Sequence, residues 1–287
     1  ALEFAGLKRE LPVGGGGGVM GSTGSGLDRV SRDRAGGVTT KSLGLEPRDG
    51  HPSPNVVKVR CGYLNAMGLP NPGVEEFTEE LGDRYVDAVV FGSIYGGDAD
   101  EFTRAARIME PVVDALELNL SCPHAEKLGA AIGADPGLVE GVTSAVAGAV
   151  TKPVFAKLTP NVADISKIGK AAEGGGADGL VAINTLKGMA IDVETRKPIL
   201  GNKSGGLSGS AVHPVAVKSV YDLFESTSIP IIGVGGVETG EDLLELILAG
   251  ASAVQVGTAI ANRGLDVFRE INSWLAEYLE SKDIFLA

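Results

Sequence analysis

Short apolar runs alternate with longer amphipathic segments along nearly the whole chain. Each run of β-branched residues is followed by a polar or glycine-rich loop, and then by a stretch with apolar residues three and four positions apart, which is typical of helices. The runs predict strands at residues 12–19, 37–40, 86–91, 115–118, 154–156, 179–183, 229–232 and 253–256. The amphipathic segments predict helices at residues 27–34, 74–81, 99–109, 136–150, 162–173, 214–226, 240–249 and 267–279.

Strands that alternate with helices indicate a parallel sheet covered by a helical layer. Eight such units in 287 residues fit a closed α/β (β/α)₈ TIM barrel better than an open, doubly wound sheet. We expect one domain over residues 1–287, with a small N-terminal hairpin at residues 2–11 that closes the bottom of the barrel.

Three connections are longer than a turn between a strand and a helix requires: residues 42–73, 119–135 and 184–213. All three follow strands, so they lie on the C-terminal face, where barrels of this kind carry their sites. We expect a three-sided lid over that face, with a hairpin at residues 189–200 inserted into the third loop.

Composition and charge narrow the class of protein. Acidic residues outnumber basic ones 37 to 25, without basic clusters, so a nucleic-acid partner is not expected. No apolar stretch approaches the roughly 20 residues of a membrane helix, and the N-terminus does not resemble a signal peptide, so a cytoplasmic protein is expected. Two cysteines and three scattered histidines predict neither a disulfide framework nor a metal site.

Polar residues at the predicted strand ends indicate an anionic cofactor. Lys41, Ser93, Asn119, Lys157 and Asn184 follow the second to sixth strands. The last two strands run into glycine turns, residues 233–236 and 257–258, which are typical phosphate-binding turns of this fold. Two lysines in one barrel mouth repel each other unless an anionic or electron-rich group lies between them. A phosphate-bearing electron acceptor, flavin mononucleotide (FMN), meets both requirements.

Cys122 lies at the start of the second long loop and is followed by Pro123. A thiol with an ordinary pKa of about 8.5 can serve as a general base near neutral pH. Free cysteines are also frequent as inert packing residues, and position alone does not choose between the two roles.

The order and spacing of several motifs resemble the dihydroorotate dehydrogenases, in particular the cytosolic class 1 enzymes of archaeal and class 1B type. The similarity covers about residues 2–261. The motifs are TKS at 40–42, LNAMGLPN at 64–71, ELNLSCP at 117–123, AKL at 156–158, INT at 183–185, GGLSG at 205–209 and GVGG at 233–236.

The resemblance implies oxidation of dihydroorotate to orotate in pyrimidine biosynthesis. It implies that Cys122 is the base that removes the C5 proton while the C6 hydride passes to flavin N5. Substrate contacts are implied for Lys41, Asn65, Ala66, Met67, Gly68, Leu69, Asn119, Asn184 and Thr185. FMN contacts are implied for Gly17, Lys41, Ser42, Asn119, Lys157, Ile183, Gly209, Gly235, Gly236, Gly257 and Thr258.

The sequence departs from the family pattern in three places. Residues 16–18 are all glycine where the family usually has Ala-Ser-Gly. The serine hydroxyl that contacts the flavin in the family is therefore absent, and we expect this protein to bind FMN more weakly. His124 replaces an asparagine common after Cys-Pro, and Ser93 stands where an asparagine often contacts the flavin.

The class 1B resemblance implies that electrons pass to NAD through a separate subunit carrying FAD and an iron–sulfur cluster. We expect a homodimer, or a heterotetramer with that subunit; the alternative acceptor is fumarate or another soluble compound. Two other hypotheses are a flavoenzyme of dihydropyrimidine dehydrogenase type and a non-catalytic flavin- or phosphate-binding barrel.

Overall fold

The computed structural model describes residues 2–9, 11–82, 86–121 and 132–283. The strands are β1 (Leu2–Phe4), β2 (Leu7–Arg9), β3 (Val13–Gly15), β4 (Gly37–Thr39), β5 (Val56–Val59), β6 (Gly62–Asn65), β7 (Val89–Ile94), β8 (Ala115–Asn119), β9 (Val154–Leu158), β10 (Gly179–Ala182), β11 (Leu186–Gly188), β12 (Ile191–Asp192), β13 (Lys197–Pro198), β14 (Gly205–Ser208), β15 (Ile231–Val234) and β16 (Ala253–Val256).

The α-helices are α1 (Gly24–Arg32), α2 (Val74–Gly82), α3 (Ala99–Met109), α4 (Pro136–Ala147), α5 (Ile165–Gly174), α6 (His213–Phe224), α7 (Gly240–Leu248), α8 (Thr258–Arg263) and α9 (Asp266–Ser281). Side chains of Asp98, Asp135, Asp164 and Thr239 cap the N-termini of α3, α4, α5 and α7, where backbone N–H groups lack partners within the helix.

Eight parallel strands close into a barrel in the order β3, β4, β7, β8, β9, β10, β15 and β16, with β16 pairing back to β3. The predicted (β/α)₈ TIM barrel is therefore confirmed. Most of the buried apolar residues form one cluster between the strands and the surrounding helices. The layered core holds the strand ends in fixed positions, and the C-terminal ends carry the site described below.

Several predicted strand boundaries are wrong in a way that matters for the site. The first barrel strand ends at Gly15 rather than residue 19, the third is Val89–Ile94 and the fifth is Val154–Leu158. Ser93 and Lys157 therefore lie inside strands rather than after them. The pattern of apolar residues ends at such positions, but a closed barrel continues its hydrogen-bonded ladder through polar residues that find partners inside.

The N-terminal hairpin is confirmed as β1 and β2, which pair antiparallel. Phe4 and Leu7 pack into a second buried cluster with Phe91, Phe155 and Ile232 inside the barrel. The rings of Phe4 and Phe155 meet edge to face, with centroids 6.1 Å apart. Because this cluster also includes the first residues of β8 and β16, the hairpin closes the bottom of the barrel, as predicted.

Two of the three long loops share one antiparallel sheet that the sequence pattern did not predict. Its strand order is β11, β14, β6 and β5, so residues 42–73 and 184–213 are joined through pairing of β6 with β14. The hairpin predicted within residues 189–200 is confirmed as β12 and β13. Residues 122–131 of the remaining loop, including Cys122 and His124, lie outside the described residues.

Candidate active site

A cavity of about 360 Å³ opens at the C-terminal ends of the barrel strands, beneath the four-stranded sheet. Most residues singled out from the sequence line it: Gly17, Lys41, Asn65, Met67, Lys157, Ile183, Asn184, Thr185, Gly209, Gly235, Gly236, Gly257 and Thr258. Ser42, Ala66, Gly68, Leu69 and Asn119 do not line it. The described strand ends therefore converge on one ligand-sized space.

Ser42 and Asn119 lie one step behind the cavity wall, in a chain of side-chain hydrogen bonds. Asn184 donates through Nδ2 to Asn119 Oδ1 at 3.1 Å, and Asn119 Nδ2 donates to Ser42 Oγ at 3.0 Å. Ser42 in turn pairs with Ser93 Oγ at 2.9 Å. This chain fixes the amide of Asn184, which does line the cavity, in one orientation.

Ala66, Gly68 and Leu69 flank Met67 in the chain and do not line the cavity themselves. His51 donates its backbone N–H to the Met67 carbonyl at 2.9 Å, and Ala66 N–H donates to Asn55 O at 2.7 Å. Gly68 has a φ of +75°, and a Cβ there would meet the His51 ring at 2.7 Å. The segment is thus held in a close turn that presents Met67 to the cavity.

Lys157 has a buried acidic partner that sequence reasoning did not single out. Its Nζ lies 3.2 Å from Glu117 Oε1, and the Glu117 side chain is only 1% exposed. The same oxygen accepts from Ser93 Oγ at 3.1 Å, while Oε2 accepts from Gln255 Nε2 at 3.4 Å. Glu117 therefore has its charge compensated inside the barrel, as a buried carboxylate requires.

Ser93 is fully buried in β7 and does not line the cavity. Its expected position at the strand end was therefore wrong, and its hydroxyl contacts Glu117 and Ser42 instead. Gln255, from β16, is the polar residue that the sequence analysis missed on the cavity side: it lines the cavity, and its Oε1 is buried without a hydrogen-bond partner. An unused acceptor at a cavity wall suits a ligand that carries a donor.

Lys41 has no carboxylate partner among the described residues. Burial, and secondarily the positive charge of Lys157, lower the pKa of the Lys41 ammonium group. The two lysines predicted to meet in the barrel mouth therefore do influence each other. An anion bound between them would relieve both the desolvation and the repulsion.

The glycine turns after β15 and β16 present bare backbone to the cavity. No hydrogen bond of the described residues uses the N–H groups of Gly235, Gly236, Gly257 or Thr258. Gly235 and Gly236 have φ values of +139° and +71°, and a Cβ at Gly257 would point into open space. Unpaired N–H groups at adjacent strand ends, one of them beginning α8, form a cradle for an anion such as a phosphate.

The glycine run after β3 is explained at Gly17. A Cβ at this position would lie 2.5 Å from Thr40 O and 3.2 Å from Thr39 Cγ2, so a serine would require the backbone to shift. Gly16 N–H donates to Val256 O at 2.9 Å, which holds the segment against the barrel. The backbone of residues 16–18 thereby forms part of the cavity wall.

The described parts of the chain contain no group of three or more metal-ligating side chains. None of their helices is both long and apolar enough to cross a bilayer.

Comparison with known proteins gives the family. Residues 1–279 match the protein family described as Dihydroorotate dehydrogenase. The chain is similar to the dihydroorotate dehydrogenase B (NAD(+)) catalytic subunit of Methanosarcina mazei, at 56% identity over 97% of this chain and 90% of that protein. The proteins of the same name from Methanocaldococcus jannaschii and Pyrococcus furiosus are 50% and 51% identical over 99% and 98% of this chain, each over 94% of its own length.

The fold and the cavity define a (β/α)₈ barrel with a ligand-sized cavity at its C-terminal face. Both measures of similarity extend over nearly the whole chain and include every barrel strand. The chain belongs to the dihydroorotate dehydrogenase family, so the resemblance deduced from the motifs is confirmed.

Proposed function

We propose that this protein is the catalytic subunit of a class 1B, NAD-dependent dihydroorotate dehydrogenase, which oxidises dihydroorotate to orotate in pyrimidine biosynthesis with FMN as its cofactor. The observation that carries this proposal is the convergence of two lysines, an oriented amide and unpaired backbone N–H groups on one cavity. The names of the archaeal relatives support the reaction and the acceptor.

The chain's own residues fit FMN. Gly235, Gly236, Gly257 and Thr258 offer unpaired N–H groups to a phosphate, with Gly209 beside them. Lys157 supplies a positive charge at the cavity wall, held in place by Glu117, which favours negative charge developing beside it. When bound, FMN supplies the acceptor for the hydride that leaves C6 of the substrate.

The substrate requires recognition of a carboxylate and of a urea-like ring. Asn65, Asn184 and Thr185 line the cavity with amide and hydroxyl groups that can both donate and accept hydrogen bonds. Asn65 Nδ2 donates to Gly206 O at 3.2 Å, which fixes its amide oxygen as the free acceptor. We assign Asn119 and Ser42 to holding Asn184, and Lys41 to the anionic group of the ligand.

We assign proton removal to Cys122, which lies outside the described residues. In the sequence it follows Ser121 directly, three residues after Asn119, which is the last residue of β8 and pairs with Lys157 of β9. The Cys122 thiolate takes the C5 proton as the hydride leaves C6, and a double bond forms between C5 and C6. Solvent then receives the proton from the thiol.

Delivery of electrons to NAD requires a second subunit. The chain has two cysteines, Cys61 and Cys122, and a cluster bound through four thiolates needs more than it offers. We propose a partner that carries FAD and an iron–sulfur cluster, assembled with a dimer of this chain in the cytoplasm.

The proposed reaction is tested by mixing FMN-loaded protein anaerobically with dihydroorotate and following the loss of flavin absorbance. Cys122→Ala should bind FMN normally but lower the rate of bleaching by roughly a hundredfold or more, because proton transfer by a positioned base contributes about this factor. Cys61→Ala is the matched control and should bleach at the wild-type rate. Bleaching by dihydrouracil rather than dihydroorotate, or an unaffected rate in Cys122→Ala, would contradict the proposal.

A further inference from the structure

His213 is a buried histidine that none of the roles above uses. It begins α6, is 8% exposed, and does not line the cavity. Its Nδ1 lies 2.9 Å from the carbonyl oxygen of Gly235, and its Nε2 lies 3.1 Å from Glu245 Oε2 on α7. The ring therefore bridges the glycine turn after β15 and the helix that follows this turn.

Both partners of the ring are acceptors, and this determines how it binds them. A carbonyl oxygen cannot donate, so Nδ1 must carry the proton of the bond to Gly235. On the other side of the ring, Glu245 Oε2 lies 3.1 Å from Nε2, and this contact keeps the ring plane aligned with the turn. Asp242 Oδ1, 3.8 Å from Nε2, adds a second negative charge on the same side.

The peptide group between Gly235 and Gly236 is the part of the turn that needs such support. Glycines with φ values of +139° and +71° have many accessible conformations, and neither has a side chain that packing could hold. The turn is fixed at its far end, where Asp242 accepts from the N–H groups of Glu238 and Thr239 at 2.9 and 2.8 Å. Between β15 and that end, His213 holds the Gly235 carbonyl.

Holding this carbonyl also sets the direction of an N–H group. A trans peptide is planar, so the N–H of Gly236 points opposite to the carbonyl of Gly235. That N–H has no partner among the described residues, and Gly236 lines the cavity. With the carbonyl bound to His213, the donor is kept available to an anion, and the repulsive carbonyl oxygen is kept away from it.

We propose that His213 is a positioning residue for phosphate binding, acting through the Gly235–Gly236 peptide. This inference rests on the proposed use of FMN and adds the residue that orients one of its phosphate donors. It also explains why the ring belongs at the start of α6: a Cβ at Gly236 would meet His213 Cβ at 2.7 Å, so the turn packs directly on it.

The test distinguishes the roles of the two ring nitrogens by replacing the imidazole with two amide side chains of different length. An asparagine amide nitrogen is the same number of bonds from Cβ as Nδ1, and a glutamine amide nitrogen is the same number as Nε2. His213→Asn should keep the donor to Gly235, whereas His213→Gln should keep the bond to Glu245 and lose the one to Gly235. Dissociation constants are measured by fluorescence titration for FMN and for riboflavin, which lacks the phosphate.

We expect His213→Gln to weaken FMN binding about tenfold, the size of one hydrogen bond, while riboflavin binding changes less than about twofold. His213→Asn should bind FMN within about threefold of wild type. Glu245→Ala should weaken FMN binding about threefold through a less well oriented ring, and Glu241→Ala, an exposed neighbour on α7, should have no effect.

Two results would overturn the inference, because a purely structural role of His213 predicts both. One is an equal loss of FMN affinity in His213→Asn and His213→Gln, and the other is an equal loss of affinity for FMN and for riboflavin. If His213→Gln does not fold, the inference is tested by comparing Glu245→Ala with Glu241→Ala. Equal FMN affinities of these two variants would overturn it. Wild-type protein that binds neither ligand would instead contradict the proposed function itself.

Discussion

At the scale of single residues, the two lysines of the cavity differ in their partners. Lys157 is paired with Glu117, whereas burial and the charge of Lys157 lower the pKa of Lys41. The sequence predicted both lysines in one mouth and a need for negative charge between them. It did not single out Glu117, although a carboxylate inside an apolar strand is a signal, since burying an unpaired charge costs several kcal/mol.

Lys41 leads to a prediction about pH. Orotate bound beside it favours the charged ammonium group, so binding should take up a proton once the pH exceeds the lowered pKa of the free protein. Orotate affinity should therefore fall as pH rises through a range below that of ordinary lysines. The same linkage applies to the stability of the unligated protein. The contribution of Lys41 to the free energy of unfolding should rise with pH between its lowered pKa in the folded protein and its ordinary pKa in the unfolded chain, because over this range the unfolded chain holds the lysine proton more tightly.

The measurement is a series of orotate dissociation constants from about pH 7 to pH 10 for wild type and Lys41→Met. The variant should bind more weakly, by roughly tenfold or more near neutral pH, and should lose this part of the pH dependence. Identical pH profiles for the two proteins would show that Lys41 does not contact the anion.

At the scale of elements, the polar layer under the cavity is built by neighbouring strands. Ser93 on β7 stands opposite Glu117 on β8, and Lys157 on β9 completes the layer, so each strand contributes one polar side chain. The strands themselves were predictable from their apolar runs. The polar layer was not predictable, because it depends on the register between neighbouring strands, and the periodicity of a single segment gives no information about that register.

The four-stranded sheet over the cavity was also not predictable from the sequence, because β6 and β14 pair over a long separation in the chain. Gly206 and Leu207 of β14 pair with Asn65 and Leu64 of β6, across a sequence separation far longer than a hairpin. Each strand has four residues, too short for a clear alternating pattern. The hairpins β1–β2 and β12–β13, whose partners are adjacent in the chain, were predicted correctly, whereas the equally local hairpin β5–β6 was not.

The Glu117–Lys157 pair gives a prediction about the stability of these strands. Glu117→Gln keeps the shape but leaves Lys157 without a counter-charge, and should lower the free energy of unfolding by about 3 kcal/mol. Adding Lys157→Met removes the lone charge, so the double variant should lose clearly less than the sum of the two single losses. Urea unfolding of the cofactor-free proteins measures all four states; strictly additive losses would contradict a coupled pair.

At the scale of the whole molecule, the barrel is closed at one end and open to a ligand at the other. The N-terminal hairpin fills the bottom with Phe4 and Leu7, while the four-stranded sheet covers part of the top above the cavity. In barrels of this kind the N-terminal end contributes to stability, and the C-terminal end carries the site. The fold was predictable from the repeated strand and helix pattern, whereas the sheet that narrows the open end required the structure.

The most direct test of the proposed function is an anaerobic titration of the FMN-loaded protein with dihydroorotate. We expect one FMN bound per chain, complete loss of the oxidised flavin's absorbance after one equivalent of dihydroorotate, and one orotate formed per flavin reduced. A protein that binds no FMN, or that binds it and leaves it oxidised in excess dihydroorotate, would contradict the proposed function.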